Sequence, residues 1–165
     1  MPKVILKLGD GISTDMIYPG RYMATVLPNE TPQYAFADLV EFNAKLKNKE
    51  FQPESVIVAG DNFGCGSSRE QATSTLKGNN LVIIAKSFAR IFLQNSINIG
   101  LHTIICPTID ANEGDELEIY PNKIINKTAG KEYPIIPLPK ARQTIIDAGG
   151  LITYTRKRLL EKGRE

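Results

Sequence analysis

Gly60-Asp61-Asn62-Phe63-Gly64-Cys65-Gly66-Ser67-Ser68-Arg69-Glu70-Gln71-Ala72 is the stretch on which the reading of this chain turns. The five residues before it, Ser55-Val56-Ile57-Val58-Ala59, read as a short buried strand, and those from Arg69 onward read as a helix. Two glycines and two serines therefore fall where a strand tip hands over to a helix N-terminus. That place offers unpaired backbone N–H groups and the positive end of a helix dipole, a receptor for a carboxylate or phosphate. Arg69 adds a planar fork able to grip a carboxylate through two hydrogen bonds, and the two hydroxyls are candidate proton-transfer groups. The same residues also have a purely structural reading, because Ser67-x-x-Glu70 and Ser68-x-x-Gln71 are both capping boxes that start a helix without chemistry. Phosphate motifs fit less well. Gly64-x-Gly66-x-x-Arg69 lacks the third glycine of a dinucleotide fingerprint, and no Lys-Ser or Lys-Thr pair follows a glycine run.

Outward from this turn, strands are expected at Lys3 to Leu8, Ser55 to Ala59, Leu81 to Ala85, Thr103 to Cys106 and Glu116 to Ile119, with shorter ones near Lys123 to Asn126 and Glu132 to Pro134. Helices are expected at Gln33 to Ala37, Val40 to Lys45, Arg69 to Leu76, Phe88 to Ile97, Pro139 to Ala148 and Leu151 to Glu161. Strand and helix alternate through the first hundred residues, and strands dominate the next stretch. This order predicts an α/β domain with a partly parallel core sheet and a β-rich layer, with residues 1–165 forming one domain.

Composition points the same way. At 165 residues, 42% of them hydrophobic, the chain is long enough for one good core, and no apolar run approaches the length of a membrane span. Met1 to Lys7 goes straight into strand-like alternation without the apolar core of a signal peptide, so a cytoplasmic location and no membrane are expected. Net charge is only +2, with the signs interspersed except at Arg156-Lys157-Arg158 and Lys162-Gly163-Arg164. No aromatic stacking platform accompanies this basic end, which therefore reads as a solvated helix face and not as a nucleic-acid patch.

Cys65 and Cys106 are the only cysteines and His102 the only histidine. Two thiols cannot supply the three or four ligands of an iron–sulfur cluster, and His102 has no partner at zinc-ligand spacing, so no metal is expected on this chain. Cys65 lies inside the anion turn, where it is either a reactive thiol or a small residue chosen for fit.

The turn resembles the Gly-Ser-Ser-Arg-Glu motif of the swivelling domain of the aconitase family, and more closely the small subunits of 3-isopropylmalate dehydratase and homoaconitase. Two further blocks carry the resemblance. One is Gly9-Asp10-Gly11-Ile12-Ser13-Thr14-Asp15-Met16-Ile17-Tyr18-Pro19-Gly20-Arg21-Tyr22; the other is Ala85-Lys86-Ser87-Phe88-Ala89-Arg90-Ile91-Phe92 with Gln94-Asn95-Ser96-Ile97-Asn98-Ile99-Gly100-Leu101. The three blocks stand in the family's order and cover most of residues 3 to 107; the last third matches in outline, through Asp147-Ala148-Gly149-Gly150-Leu151. The resemblance implies a swivelling β/β/α fold and a hydro-lyase that moves a hydroxyl between neighbouring carbons of a malate derivative. It assigns the base to Ser67, acting as an alkoxide beside Gly66, and places Ser68 and Arg69 on a substrate carboxylate. It implies that the Lewis acid is a [4Fe-4S] cluster in a separate large subunit, joined in a heterodimer or heterotetramer, with small-subunit self-association also open. Asp15 falls in the family's Thr-Asp block, where it either orients the neighbouring loop or caps a turn.

Between Tyr22 and Pro32 two prolines, two threonines and little periodicity read as a mobile surface loop. In the resembling subunits this loop reads the group that distinguishes one 2-hydroxy acid from another. Here Met23, Ala24, Thr25 and Val26 suit an alkyl branch, since an unpaired third carboxylate would be costly to bury beside them. Arg21, at the base of the loop, either swings in or serves as scaffold. Gln71 stands where many isopropylmalate dehydratase small subunits have histidine and is reminiscent of some homoaconitases. The implied substrate is thus a 2-hydroxy di- or tricarboxylic acid: 3-isopropylmalate first, then homocitrate or homoaconitate, then 2,3-dimethylmalate. A free-standing anion- or nucleotide-binding module is the reading from another class.

Overall fold

A computed structural model describes residues 1–163; Arg164, placed above in the basic end, lies outside the described residues. Four strands, β1 (Val4–Lys7), β2 (Val56–Ala59), β3 (Val82–Ala85) and β4 (Thr103–Ile105), form one sheet in the order β1-β2-β3-β4, with every neighbouring pair parallel. Parallel neighbours need crossovers. These are supplied by α1 (Thr14–Ile17) and α2 (Val40–Lys47) between β1 and β2, α3 (Glu70–Gly78) before β3, and α4 (Arg90–Ile99) before β4. Strands β2 and β3 are buried at all eight positions, which explains why Val56 to Ala59 and Val82 to Ala85 are apolar runs and not alternations.

Each face of this sheet has its own apolar cluster. Ile57, Ala59, Ile83 and Ala85 pack with Ala72 and Leu76 of α3 and Phe92 of α4, while Val56, Val58, Val82 and Ile84 meet Leu117, Ile124 and Tyr133. The second set belongs to a three-stranded antiparallel sheet of β5 (Leu117–Ile119), β6 (Lys123–Asn126) and β7 (Lys131–Pro134). Helices α5 (Lys140–Asp147) and α6 (Leu151–Lys162) pack against α4 and each other. The layering is therefore antiparallel sheet, parallel sheet, helices: the β/β/α arrangement expected from the sequence, with a core sheet that is wholly parallel.

Two local expectations fail for identifiable reasons. The helix expected over Gln33 to Ala37 is instead a 3₁₀ turn over Thr31–Tyr34. It has Pro32 in its first turn and stops before Phe36, whose φ of 48° lies in the left-handed region. Neither capping box forms: Arg69 is the N-cap of α3 and no side chain caps it, so both serines stand outside the helix. The helix expected from Phe88 starts at Arg90, because residues 87–89 pair beside the turn instead.

The turn is held against Phe92. Gly64 has φ 83°, and a Cβ there would lie 2.2 Å from Phe92 Cγ, inside a cluster where Phe92 also meets Phe63 edge-on and stacks on Phe88. Gly64→Ala combines left-handed strain with a clash against a buried ring, so it should destabilise the fold by about 3 kcal/mol or more. A denaturant midpoint close to wild type would contradict this account.

Candidate active site

Three separate sequence segments meet at the C-terminal ends of the first three strands. The Gly9 to Asp15 segment runs beside Gly60 to Ser67 through a ladder of main-chain bonds: Gly60 N–H to Gly9 O at 3.0 Å, Gly11 N–H to Asp61 O at 2.8 Å, Gly64 N–H to Ile12 O at 2.7 Å and Thr14 N–H to Cys65 O at 2.8 Å. On the other side Phe63 N–H donates to Ser87 O and Ala89 N–H to Phe63 O, and Ser87 Oγ receives the Asn62 N–H at 2.8 Å. From α4, Asn95 Nδ2 reaches Ser68 O at the long distance of 3.4 Å. The turn carrying Ser67, Ser68 and Arg69 is thus sewn on both flanks, which accounts for its conformation without help from helix capping.

Within this frame Ser67 Oγ lies 3.0 Å from Thr14 Oγ1, and the Ser67 N–H donates to the same oxygen at 3.2 Å. Ser67 is exposed and Thr14 is buried. Arg69 is largely covered, its side chain 17% exposed, and Nη1 makes both of its recorded bonds: to Asp15 Oδ1 at 2.8 Å and to Tyr18 O at 3.2 Å. Nε is buried and has no partner, which leaves hydrogen-bonding capacity on the guanidinium unused. Asp15 also accepts the Gly20 N–H at 2.9 Å, so the carboxylate both closes the turn into the 3₁₀ segment Gly20–Tyr22 and fixes Arg69.

The hydrogen bond from Arg69, followed by that from Gly20, holds the Asp15 carboxyl below the usual aspartate range. A pKa depressed in the folded state means that the stabilising contact is present above the ordinary aspartate value, near 4, and is lost as pH falls through the depressed value. Acid titration should therefore release the Arg69 side chain only below the ordinary aspartate value, about 4, and Asp15→Asn should abolish that transition. Guanidinium NMR signals of Arg69 followed against pH in both proteins test this; a transition that persists in the asparagine variant would assign it to another group.

Ser67, Ser68, Arg69 and Gln71 line one side of an open cavity of about 590 Å³, together with Glu70 and Ser74. Met23, Val26, Pro28 and Ile99 form its apolar side. Gln71 Nε2 donates to Met23 O at 3.1 Å, and the buried Tyr18 donates its hydroxyl to Tyr22 O and Thr25 O, both at 3.1 Å, so the loop is tied to the helix and to the core. Of the expected loop residues Met23 lines the cavity, while Ala24 and Thr25 do not. Arg21 stays out as well: Nη2 donates to Asp38 Oδ1 at 2.6 Å and the guanidinium lies 4.7 Å from the Tyr22 ring centre. Gly66, with φ 100°, is exposed beside Ser67.

Thr14 and Tyr18 take part in this geometry although only their place in a matching block drew notice to them. A threonine hydroxyl three residues after Gly11 carries no signal of its own.

Cys106 is buried, its Sγ–H donates to Pro134 O at 3.4 Å, and burial pushes its pKa up to about 11. Cys65, half-buried in the turn, stands without a second ligating thiolate. Among the described residues no group of three or more His, Cys, Asp or Glu side chains could hold a metal ion. Among the described residues no helix is long and apolar enough to cross a membrane.

Comparison with known proteins gives a consistent result. Residues 10–109 match the family model of the aconitase C-terminal domain. The 3-isopropylmalate dehydratase small subunit of Methanosarcina mazei is 45% identical over 160 residues, covering 94% of this chain and 96% of that protein. The isopropylmalate/citramalate isomerase small subunit of Methanocaldococcus jannaschii is 42% identical, with coverage of 95% and 94%. A crystal structure of 3-isopropylmalate dehydratase (leuD) from Methanocaldococcus jannaschii superposes with a TM-score of 0.88 at 38% identity, over 98% of this chain and 96% of that one.

Proposed function

This chain belongs to the family of the aconitase C-terminal domain, and from that premise we propose that it is the small subunit of a hydro-lyase that converts 2-isopropylmalate into 3-isopropylmalate, a step of leucine biosynthesis. The observation that carries the reading is one cavity whose lining combines Ser67, Ser68 and Arg69 with Met23, Val26 and Pro28. A substituted malate needs both: polar groups for a carboxylate and a proton, and an apolar wall for its alkyl branch.

Ser67 is the base. Its Oγ takes the proton from the carbon next to a carboxylate, the C–H electron pair becomes the new double bond, and hydroxide leaves the neighbouring carbon with its own pair. Rehydration in the opposite sense completes the isomerisation. Arg69, with its Nε unpaired, holds the substrate carboxylate, assisted by Ser68 and by the backbone N–H groups at the start of α3. Departure of hydroxide calls for a Lewis acid. That group does not fit this chain's two separate thiols, so we assign a [4Fe-4S] cluster to the large subunit that completes the enzyme.

The branched substrate is favoured over tricarboxylic ones because the cation beside the cavity, Arg69, is already committed to one carboxylate, Glu70 adds negative charge, and Arg21 is engaged by Asp38. An unpaired third carboxylate would incur a desolvation cost of several kcal/mol. The loop over residues 22–32, held by Gln71 and Tyr18, brings Met23, Val26 and Pro28 to the cavity as its apolar lining. Two free thiols suit a reducing compartment, and we place the enzyme in the cytoplasm. The deciding experiment combines the chain anaerobically with its cluster-loaded large subunit and assays 2-isopropylmalate, homocitrate and 2,3-dimethylmalate side by side. Activity should require both chains and be highest on 2-isopropylmalate; turnover by the metal-free chain alone would overturn the proposal.

A further inference from the structure

We propose that Thr14 is a positioning residue whose hydroxyl donates a hydrogen bond to the Ser67 oxyanion, and that this contact selects Ser67 over Ser68 as the serine that carries negative charge. The inference rests on the reading of Ser67 as the base.

Thr14 is 2% exposed and cannot rotate away with its backbone. Its N–H is bonded to Cys65 O at 2.8 Å, its carbonyl accepts the Tyr18 N–H at 2.8 Å, and Ser13 Oγ caps the same short helix through the Met16 N–H at 3.1 Å. A threonine hydroxyl has one proton and two acceptor positions. One acceptor position is taken by the Ser67 N–H at 3.2 Å, and Ser67 Oγ stands 3.0 Å away. While Ser67 is neutral, either hydroxyl can donate. Once Ser67 is ionised it can only accept, so the proton between the two oxygens must be the one on Thr14. The bond then becomes charge-assisted and shorter, in a place where burial of the donor limits competition from water. The contact therefore lowers the cost of ionising Ser67 and raises the share of the enzyme that carries the alkoxide, a gain only partly offset by the weaker basicity of a stabilised anion. Among the described residues the recorded bond of Ser68 is through its carbonyl, to Asn95, and no hydroxyl partner is recorded for its Oγ.

The geometry also explains why the two segments are sewn together so tightly. The Ser13 and Cys65 backbones form a parallel bridge, which sets the Thr14 oxygen beside Ser67 before any substrate arrives. Preorganisation of this kind avoids reorienting a donor at the moment of reaction.

The test uses the assembled two-subunit enzyme with Thr14→Val, Thr14→Ser and Ser67→Ala. Thr14→Val keeps the shape and removes the donor, so kcat should fall on the order of 10-fold because fewer Ser67 side chains reach the alkoxide form, with KM nearly unchanged. Thr14→Ser keeps the donor and should restore most of kcat. Thermal melting checks that each variant folds; if valine is not accommodated, Thr14→Ala, which is smaller than threonine and cannot clash, takes its place. A Thr14→Val enzyme with wild-type kcat, or a serine variant as impaired as the valine one, would overturn the inference. Ser67→Ala separates the two levels. Normal turnover in that variant removes Ser67 as the base and this inference with it, whereas an inactive Ser67→Ala beside a normal Thr14→Val removes the role of Thr14 alone.

Discussion

Ser67→Ala, assembled with its large subunit, should lose turnover by on the order of 10²–10⁴-fold while its fold and its affinity for substrate stay close to wild type. The fold is expected to survive because this serine is not a helix cap: α3 begins at Arg69 without a side-chain cap, and Thr14 Oγ1 keeps its bond from the residue-67 N–H when the side chain is shortened. The lost hydroxyl bond is partly exposed and contributes about 1 kcal/mol at most. Affinity is expected to survive because the charge that binds the carboxylate belongs to Arg69. The measurements are single-turnover kinetics for the chemical step, equilibrium binding of substrate and a thermal melt. A variant that turns over at a near-normal rate would show that the hydroxyl takes no proton.

Arg69→Lys should show the opposite split, with KM raised roughly 30-fold or more, the equivalent of about 2 kcal/mol, and a smaller effect on kcat. Nη1 of the guanidinium anchors to Asp15 and Tyr18 O, while the buried Nε has no partner, so the group keeps donor capacity beyond its anchor. An ammonium is a single point of charge. It can sit on Asp15 or reach the substrate, and in neither position does it present two parallel N–H groups to a carboxylate. Binding measured by calorimetry on the assembled enzyme should weaken by a similar factor. An unchanged KM would mean that Arg69 is a purely structural partner of Asp15.

Much of the architecture was legible in the sequence. Val56 to Ala59 and Val82 to Ala85 are unbroken apolar runs of strand length, and their burial on both faces confirms that pattern as the mark of a central parallel strand. The β-rich layer followed from short strand-like segments between turn residues, its antiparallel pairing coming from the structure, and the helices after Arg69, Pro139 and Gly150 followed from their periodicity. The failures share a cause. Thr14–Ile17 is a single helical turn, too short to show a period, and Thr31–Tyr34 is wound by a proline and stopped by the left-handed Phe36, a conformation that nothing in an aromatic side chain announces. The two capping boxes were genuine local patterns, but the bonds from Thr14 and the flanking segments outcompeted them.

For the candidate site, the sequence by itself determined which residue types stand at a strand-to-helix turn, that two thiols fall short of the three or four ligands of an iron–sulfur cluster, and which family the three blocks belong to. These properties depend on composition and on near neighbours along the chain, so they can be read in one dimension. Tertiary structure alone decided which groups meet: Thr14 against Ser67 across 53 positions, Asp15 against Arg69 across 54, and Gln71 against the Met23 carbonyl across 48. It also decided that Met23 and Val26, and not Ala24, face the cavity, and that Arg21 turns to Asp38. The physical reason is that hydrogen bonds and desolvation act over a few ångströms of space, and the parallel sheet brings the ends of β1, β2 and β3 together whatever their distance along the chain.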